Sequence, residues 1–401
     1  MRSGPGSGRG LEDEDEMKLA LFAELPVPKP WTKGKEQRLF KEQIEQAVFA
    51  EEMGFHSFWT VEHHFLSEMS HATNPEVLYG AIAALTKTLR LGYGVRLLPK
   101  PYNHPIRSAE SVATLDNISG GRVEFAGGRS GTAREMAGFG INPHETRPMQ
   151  EEAFRAMTGM WMNEDYAFEG QFWSMPKRTV VPRVVQEPHP PLWCATGSID
   201  GHYEVGKLGT GLLSFATCTP PEEMAVKFAK YEEGIRDCTD PVGYRIFNRK
   251  AALAIGHCDD TDEMARAIGE PSMRKYLEYS FPLYGEMSAY AAAWRQDKEL
   301  GTFGYARDIQ AAVEEGGGKP AFDMDAIFEM GGHTIAGVDR WTELAIRFEK
   351  AGTDILFCLM NTWEIPHEKV MHSIELLGKH VIPILNERER EQADKSQAAA
   401  A

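Results

Sequence analysis

Glu62-His63-His64 closes an apolar, β-forming run, Phe58-Trp59-Thr60-Val61. A carboxylate beside two imidazoles can hold and return protons near neutral pH, which suits general acid–base chemistry. Two plainer roles fit the same residues: a satisfied structural histidine, or a pair of zinc ligands that needs a third and a fourth. His104 and His333 are available for those positions, but their spacing does not choose between the roles. Two further stretches carry anion chemistry. In Gly127-Gly128-Arg129-Ser130-Gly131, glycines let backbone N–H groups approach an anion that a guanidinium could grip. In Ala195-Thr196-Gly197-Ser198, hydroxyls lead straight into a short helix whose N-terminal N–H groups favour negative charge. Two anion sites at neighbouring strand ends point to a phosphorylated cofactor. The sequence has neither a GxGxxG dinucleotide pattern nor a Walker sequence.

A frame must bring these residues together. Strand-like runs fall at 18–25, 55–64, 89–99, 123–129, 191–196, 211–217, 245–256 and 354–360. Helical periodicity fills the intervals at 36–53, 148–162, 200–207, 221–235, 340–351 and 366–378. Gly54 ends the first helix, Asn74-Pro75 opens one that runs to about Lys87, and Pro105 opens one that closes near Gly120-Gly121. Three helices are expected across 261–316, before the glycines at 316–318. Eight strands alternating with helices predict an α/β protein with a parallel sheet, best matched by a closed (β/α)8 TIM barrel; an open doubly wound sheet is the alternative. The insertion at about 261–338, after the seventh strand, is far longer than an ordinary connection. It carries Tyr276, Tyr279, Phe281, Tyr284, Tyr290, Trp294 and Phe303. Most of these would pack extra helices on the barrel, and some should face a cavity as part of a lid.

The chain has 401 residues, 42% of them hydrophobic, and a formal charge of −16. That balance argues against a nucleic-acid or anionic-membrane partner, since both need a basic face. No apolar run approaches the roughly 20 residues that span a bilayer. Five cysteines, widely separated, form neither a disulfide framework nor a metal pattern, so reduced thiols in a cytoplasmic enzyme are expected. Residues 17–386 read as one barrel domain, with an N-terminal extension at 1–16 and a tail at 387–401 whose compositions predict disorder.

The chain resembles the bacterial luciferase-like, flavin-dependent monooxygenases. The likeness is carried by Glu62-His63-His64-Phe65 with Asn74-Pro75, then Leu91-Gly92-Tyr93-Gly94-Val95. It continues in His104-Pro105-Ile106-Arg107, Ser119-Gly120-Gly121-Arg122, Phe125 through Arg129 and Phe139-Gly140, and spans roughly residues 17–385. What it implies is a barrel that binds FMN, delivered as FMNH2 by a separate NAD(P)H:flavin reductase. Such enzymes react it with O2 through a C4a-peroxyflavin and oxygenate a small hydrophobic substrate. The resemblance makes His63 the catalytic base or stabiliser, with Glu62 and His64 in support. It puts a non-proline cis peptide at Gly94-Val95 under the flavin ring, the phosphate on Arg129, Thr196, Gly197 and Ser198, and Ser214 and Phe215 along the flavin. No metal site is implied. Relatives dimerise through the second and third helices, and Tyr79 with the Ala and Leu residues around it would suit either such a homodimer or the core.

There are departures from the family pattern. Gly128 stands where the light-emitting enzymes carry a reactive cysteine, and Thr196-Gly197 replaces their Glu-Ser pair. The loop from Lys100 to Asn103 is longer by two residues. A hydroxylase, an epoxidase or a Baeyer–Villiger enzyme is therefore favoured over a light-producing one. A deazaflavin-dependent dehydrogenase of the same superfamily and a metal-dependent hydrolase remain the competing classes.

Overall fold

The computed structural model describes residues 17–215, 218–294, 305–315 and 322–388. Its apolar strands close into a ring because each is buried on both faces, by the barrel interior and by a helix. β1 (Lys18–Ala23) pairs in parallel with β2 (Ser57–Thr60), and β2 with β3 (Arg90–Tyr93). β3 and its continuation β4 (Arg96–Leu97) both pair with β5 (Val123–Gly128). A hairpin, β6 (Tyr166–Glu169) with β7 (Ser174–Arg178), stands outside the ring. The ring continues through β8 (Leu192–Thr196), β9 (Gly211–Ser214) and β10 (Lys250–Asp259). β11 (Thr334–Gly337) pairs with the outer end of β10, and β12 (Ile355–Leu359), between β10 and β1, closes the eight-stranded barrel. Aromatic side chains fill its interior: the Trp59 ring lies 4.8 Å from Phe357 and 5.7 Å from Trp193.

The helices are α1 (Lys35–Glu52), α2 (Pro75–Leu85), α3 (Pro105–Ser119), α4 (Ala133–Phe139), α5 (Thr146–Met162), α6 (Ile199–Lys207) and α7 (Pro221–Arg236). After β10 come α8 (Asp262–Ala293), α9 (Tyr305–Glu315) and α10 (Met324–Met330), then α11 (Val338–Lys350) and α12 (His367–Leu376). All eight expected strands are present. Gly54 ends α1 in the left-handed region, at φ 83°.

The insertion differs from expectation. Among the described residues of 261–316, two helices stand where three were expected, α8 running unbroken for 32 residues with Pro271 and Pro282 inside it. Each proline removes one helical hydrogen bond. A buried face that includes Met273, Tyr276, Leu277, Leu283 and Met287 offsets that loss. Helical backbone also continues through 382–388, past the expected start of the tail. The extension at 1–16, residues 216–217, Phe303, the glycines at 316–318 and residues 389–401 lie outside the described residues. Of the five cysteines all are free, and Cys194, Cys258 and Cys358 are buried. Among the described residues no helix is long and apolar enough to cross a membrane.

Tyr79 belongs to the core. Its hydroxyl accepts from Thr60 N at 2.9 Å and donates to Gly92 O, and the large apolar residues that α2 leaves exposed are Val77 and Leu85. Arg122 locks the adjacent layer. Its guanidinium donates to the carbonyls of Ser119, Leu89, Ala83 and Thr86 at 2.6, 2.7, 2.9 and 3.1 Å, joining the C-terminal ends of α2 and α3 to the start of β3. Arg122→Ala strands those carbonyls in a buried site. We expect a loss of about 3 kcal/mol or more in urea denaturation, with Arg122→Lys recovering only part of it.

Candidate active site

β2 ends at Thr60, and the next residues turn across the mouth of the barrel. Glu62 N donates to Val95 O at 3.0 Å, and His63 N to Ala72 O at 3.0 Å. His63 Nδ1 donates to Glu135 Oε1 at 2.9 Å, and the His64 backbone N–H donates to the same oxygen at 3.0 Å. Glu135 Oε2 accepts from Ser130 and Thr132 at 2.7 and 2.6 Å. Burial alone would pull His63 down and push Glu135 up. The Glu135–His63 attraction outweighs it: His63, helped by Glu24 and Glu62, titrates above its usual value and Glu135 below. Because Glu135 holds Nδ1, Nε2 is the atom left to exchange protons. Sequence reasoning passed over Glu135, although Thr132-Ala133-Arg134-Glu135 is a capping-box pattern and Thr132 does cap α4.

Glu62 and His64 have other work. Glu62 accepts from Leu97 N at 2.9 Å, from Asn103 Nδ2 at 2.9 Å and from His64 Nε2 at 3.3 Å. Asn103 in turn accepts from Arg96 at 3.0 Å, so Glu62 ties the end of β2 to β4 and to the lengthened loop. The His64 ring stacks on Tyr102 at 5.9 Å and meets Phe139 edge-on at 5.0 Å. His64 is thus packed between rings and tied to Glu62 through Nε2, whereas His63 is tied to Glu135 through Nδ1. The other histidines considered as ligands sit elsewhere: His104 caps α3, and His333 Nδ1 accepts from Ile335 N at 3.0 Å.

Beside this cluster the sheet changes course at Gly94-Val95, joined by a cis peptide bond. Gly94 N donates to Thr60 O at 2.7 Å, which sets the pair against the end of β2. A Cβ on Gly128 would lie 2.0 Å from Val95 Cγ2, so the cysteine of the light-emitting enzymes has no room here. One strand further on, Arg129 donates to Thr146 Oγ1 at 3.4 Å. Arg129, Arg147, Gln150, Thr196 and Gly201 line a small cavity of about 60 Å³. Ser198 caps α6 by accepting from Gly201 N at 3.2 Å, and a Cβ on Gly201 would fall 2.0 Å from Thr196 Oγ1. Two guanidiniums, the Thr196 hydroxyl and the N-terminus of α6 make a donor set suited to a phosphate, and the carboxylates of Glu151 and Glu204 line the same cavity. Arg147, also paired with Glu204 at 3.2 Å, was missed because it sits in a helix and not at a strand end. Gly197 lies between Thr196 and Ser198, facing the Phe215 carbonyl, 3.4 Å from where its Cβ would be. Phe215 packs edge-on to Phe22 at 5.6 Å. The Ser214 hydroxyl is fully buried, 2.9 Å from His202 Nε2 and 3.1 Å from the Met224 sulfur.

Glu24, just past the end of β1, was also missed, since nothing in Phe22-Ala23-Glu24-Leu25 marks it out. It is 5% exposed, and Tyr276 of α8 donates to its Oε1 at 3.1 Å. Burial raises its pKa to about 7, against the smaller opposing pulls of His63 and of the Tyr276 bond.

Such a molecule is a (β/α)8 barrel with a buried His63–Glu135 pair and an arginine-lined cavity at its strand ends. The family model of luciferase-like monooxygenases matches residues 18–352, and the chain belongs to that family. It is 32% identical over 169 residues to the oxygenase component of the flavin-dependent trigonelline monooxygenase of Acinetobacter baylyi, covering 42% of this chain and 46% of that protein. The chain therefore spans about half the length of that relative. In fold it is similar to the oxygenating constituent of 3,6-diketocamphane monooxygenase of Pseudomonas putida, solved with FMN, with a TM-score of 0.70, 19% identity, and 92% and 98% of the two chains covered. It is also similar to an F420-dependent secondary alcohol dehydrogenase, with a TM-score of 0.64, 19% identity, and coverage of 92% and 99%.

Glu24 makes stability depend on pH. Its folded pKa, about 7, exceeds the ordinary 4.5, so the fold favours the protonated form. Stability is full below about pH 4.5 and declines as pH rises through about 7. Glu24→Gln removes that decline. Urea denaturation should show the variant gaining on the wild type by up to roughly 3 kcal/mol between about pH 5 and pH 8, whereas a constant difference would mean that Glu24 ionises normally.

Proposed function

We propose that this protein is the oxygenase of a two-component flavin-dependent monooxygenase. It takes FMNH2 and O2 and places one oxygen atom in a hydrophobic organic substrate, the other leaving as water. The observation that carries this is a protonatable His63–Glu135 pair and a phosphate-sized cradle at the same barrel mouth, with Gly94-Val95 beside the histidine. The bound reduced flavin supplies the electrons for oxygen activation.

The chain's own residues do the rest. Arg129, Arg147, Thr196 and Ser198 hold the phosphate, with Gly197 and Gly201 keeping the backbone close. Gly94, Val95 and Phe215 line the ring. His63 holds or moves a proton at Nε2 while Glu135 fixes its tautomer. α8, through Tyr276, keeps water from the mouth. No nicotinamide-binding sequence is evident, so a separate NAD(P)H:flavin reductase supplies the FMNH2. A homodimer through α2 and α3 would cover the exposed Val77 and Leu85.

Anaerobic titration with FMNH2 should show binding, and admitting O2 with substrate should yield an oxygenated product. Binding of a reduced deazaflavin in place of FMNH2 would overturn the proposal in favour of a dehydrogenase. His63→Ala should lower kcat about 10²- to 10⁴-fold, with FMNH2 affinity within a few-fold of wild type. Arg129→Ala should weaken FMNH2 about tenfold or more and leave the affinity for reduced riboflavin, which lacks the phosphate, unchanged.

A further inference from the structure

β1 and β2 lie side by side with Ala23 opposite Thr60, and Thr60 Oγ1 donates to Ala23 O at 2.7 Å. That register sets Glu24 beside the turn that carries Glu62 and His63. Tyr276 fixes one carboxyl oxygen from above, while Oε2 is buried with no hydrogen-bond partner among the described residues. A buried carboxyl oxygen left this way is costly, and it is sustained where the group works in proton exchange. The charged and titratable groups around it come from every neighbouring element. His63 acts on it from the turn after β2, Glu135 from α4 and Tyr276 from α8, while Glu62 acts in turn on His63, and Tyr284 and Cys218, in the loop after β9, on Tyr276.

We propose that Glu24 is a positioning residue for proton transfer, coupled to His63 so that one carries the site's mobile proton when the other has released it, with Tyr276 on α8 holding it in place. The coupling is reciprocal. A protonated His63 favours the carboxylate of Glu24, and that carboxylate favours protonated His63. When His63 Nε2 gives its proton to the reacting group, the positive charge beside Glu24 disappears and Glu24 takes a proton from solvent. When His63 is reprotonated, Glu24 releases that proton again. The cluster's total charge stays nearly constant through a cycle, which limits the electrostatic cost of moving a proton in a buried site. Its chemical meaning rests on the oxygenase reading above; its test does not.

The full-length protein, labelled with ¹³C at histidine Cε1, would be titrated by NMR without flavin, His63 being assigned by its loss in His63→Asn. In wild type the His63 signal should show a second inflection near the Glu24 transition at about pH 7. In Glu24→Gln that inflection should vanish and the His63 pKa should fall by about one unit. Tyr276→Phe, which removes a bond to the carboxylate, should move the inflection to higher pH. An unchanged His63 titration in folded Glu24→Gln overturns the proposal. Should that variant not fold, an unmoved inflection in Tyr276→Phe does so. Failure to bind FMNH2 would leave these shifts standing and would count against the oxygenase reading alone.

Discussion

The bond between His63 and Glu135 is the constraint around which this barrel mouth is arranged. A buried carboxylate and imidazolium lose hydration, and their attraction compensates only when the remaining polar atoms are also bonded. Glu135 meets that condition with Ser130, Thr132 and the His64 N–H. Each of those donors must itself be placed, so the loop after β5, the cap of α4 and the turn after β2 form one unit. α8 completes it from above: Arg134 pairs with Glu286, and Met136 packs in one cluster with Met287 and Ala291.

The cavity lined by Arg129 and Thr196 lies at the ends of β5 and β8, two and three strands round the ring from β2, and shares the loop after β5 with that unit. The break between β3 and β4 joins the two regions. Thr60 and Glu62 both bond to its backbone, so the end of β2 and the Gly94-Val95 step are placed relative to each other. Val95 then fills the space over Gly128, which makes a cysteine there sterically inconsistent with this barrel.

Much of the frame was legible because α/β alternation writes itself in short, local patterns. Each barrel strand is an apolar run and each barrel helix has its own periodicity and stop signal, as Gly54 shows for α1. α8 was not legible. Two prolines inside one helix break every local rule, and only the packing of its long buried face overrides them. Tyr79 was ambiguous for a similar reason: its composition suited an interface or a core, and its bonds to Thr60 and Gly92 decide for the core.

The sequence by itself determined the fold class and the strand-end motifs, His63 among them, since strand ends in a parallel barrel share one face whatever the details. It also carried the Thr132–Glu135 cap, a local signal with a local meaning. Only the tertiary structure decided that Glu135 turns its carboxylate to His63, that Glu62 bonds Leu97 N and Asn103 while His64 stacks on Tyr102, and that Glu24 lies buried against Tyr276. Those outcomes depend on residues 35 to 252 positions apart along the chain meeting in a buried space. Burial and partner geometry set the charge of a group there, and neither is written in its neighbours along the chain.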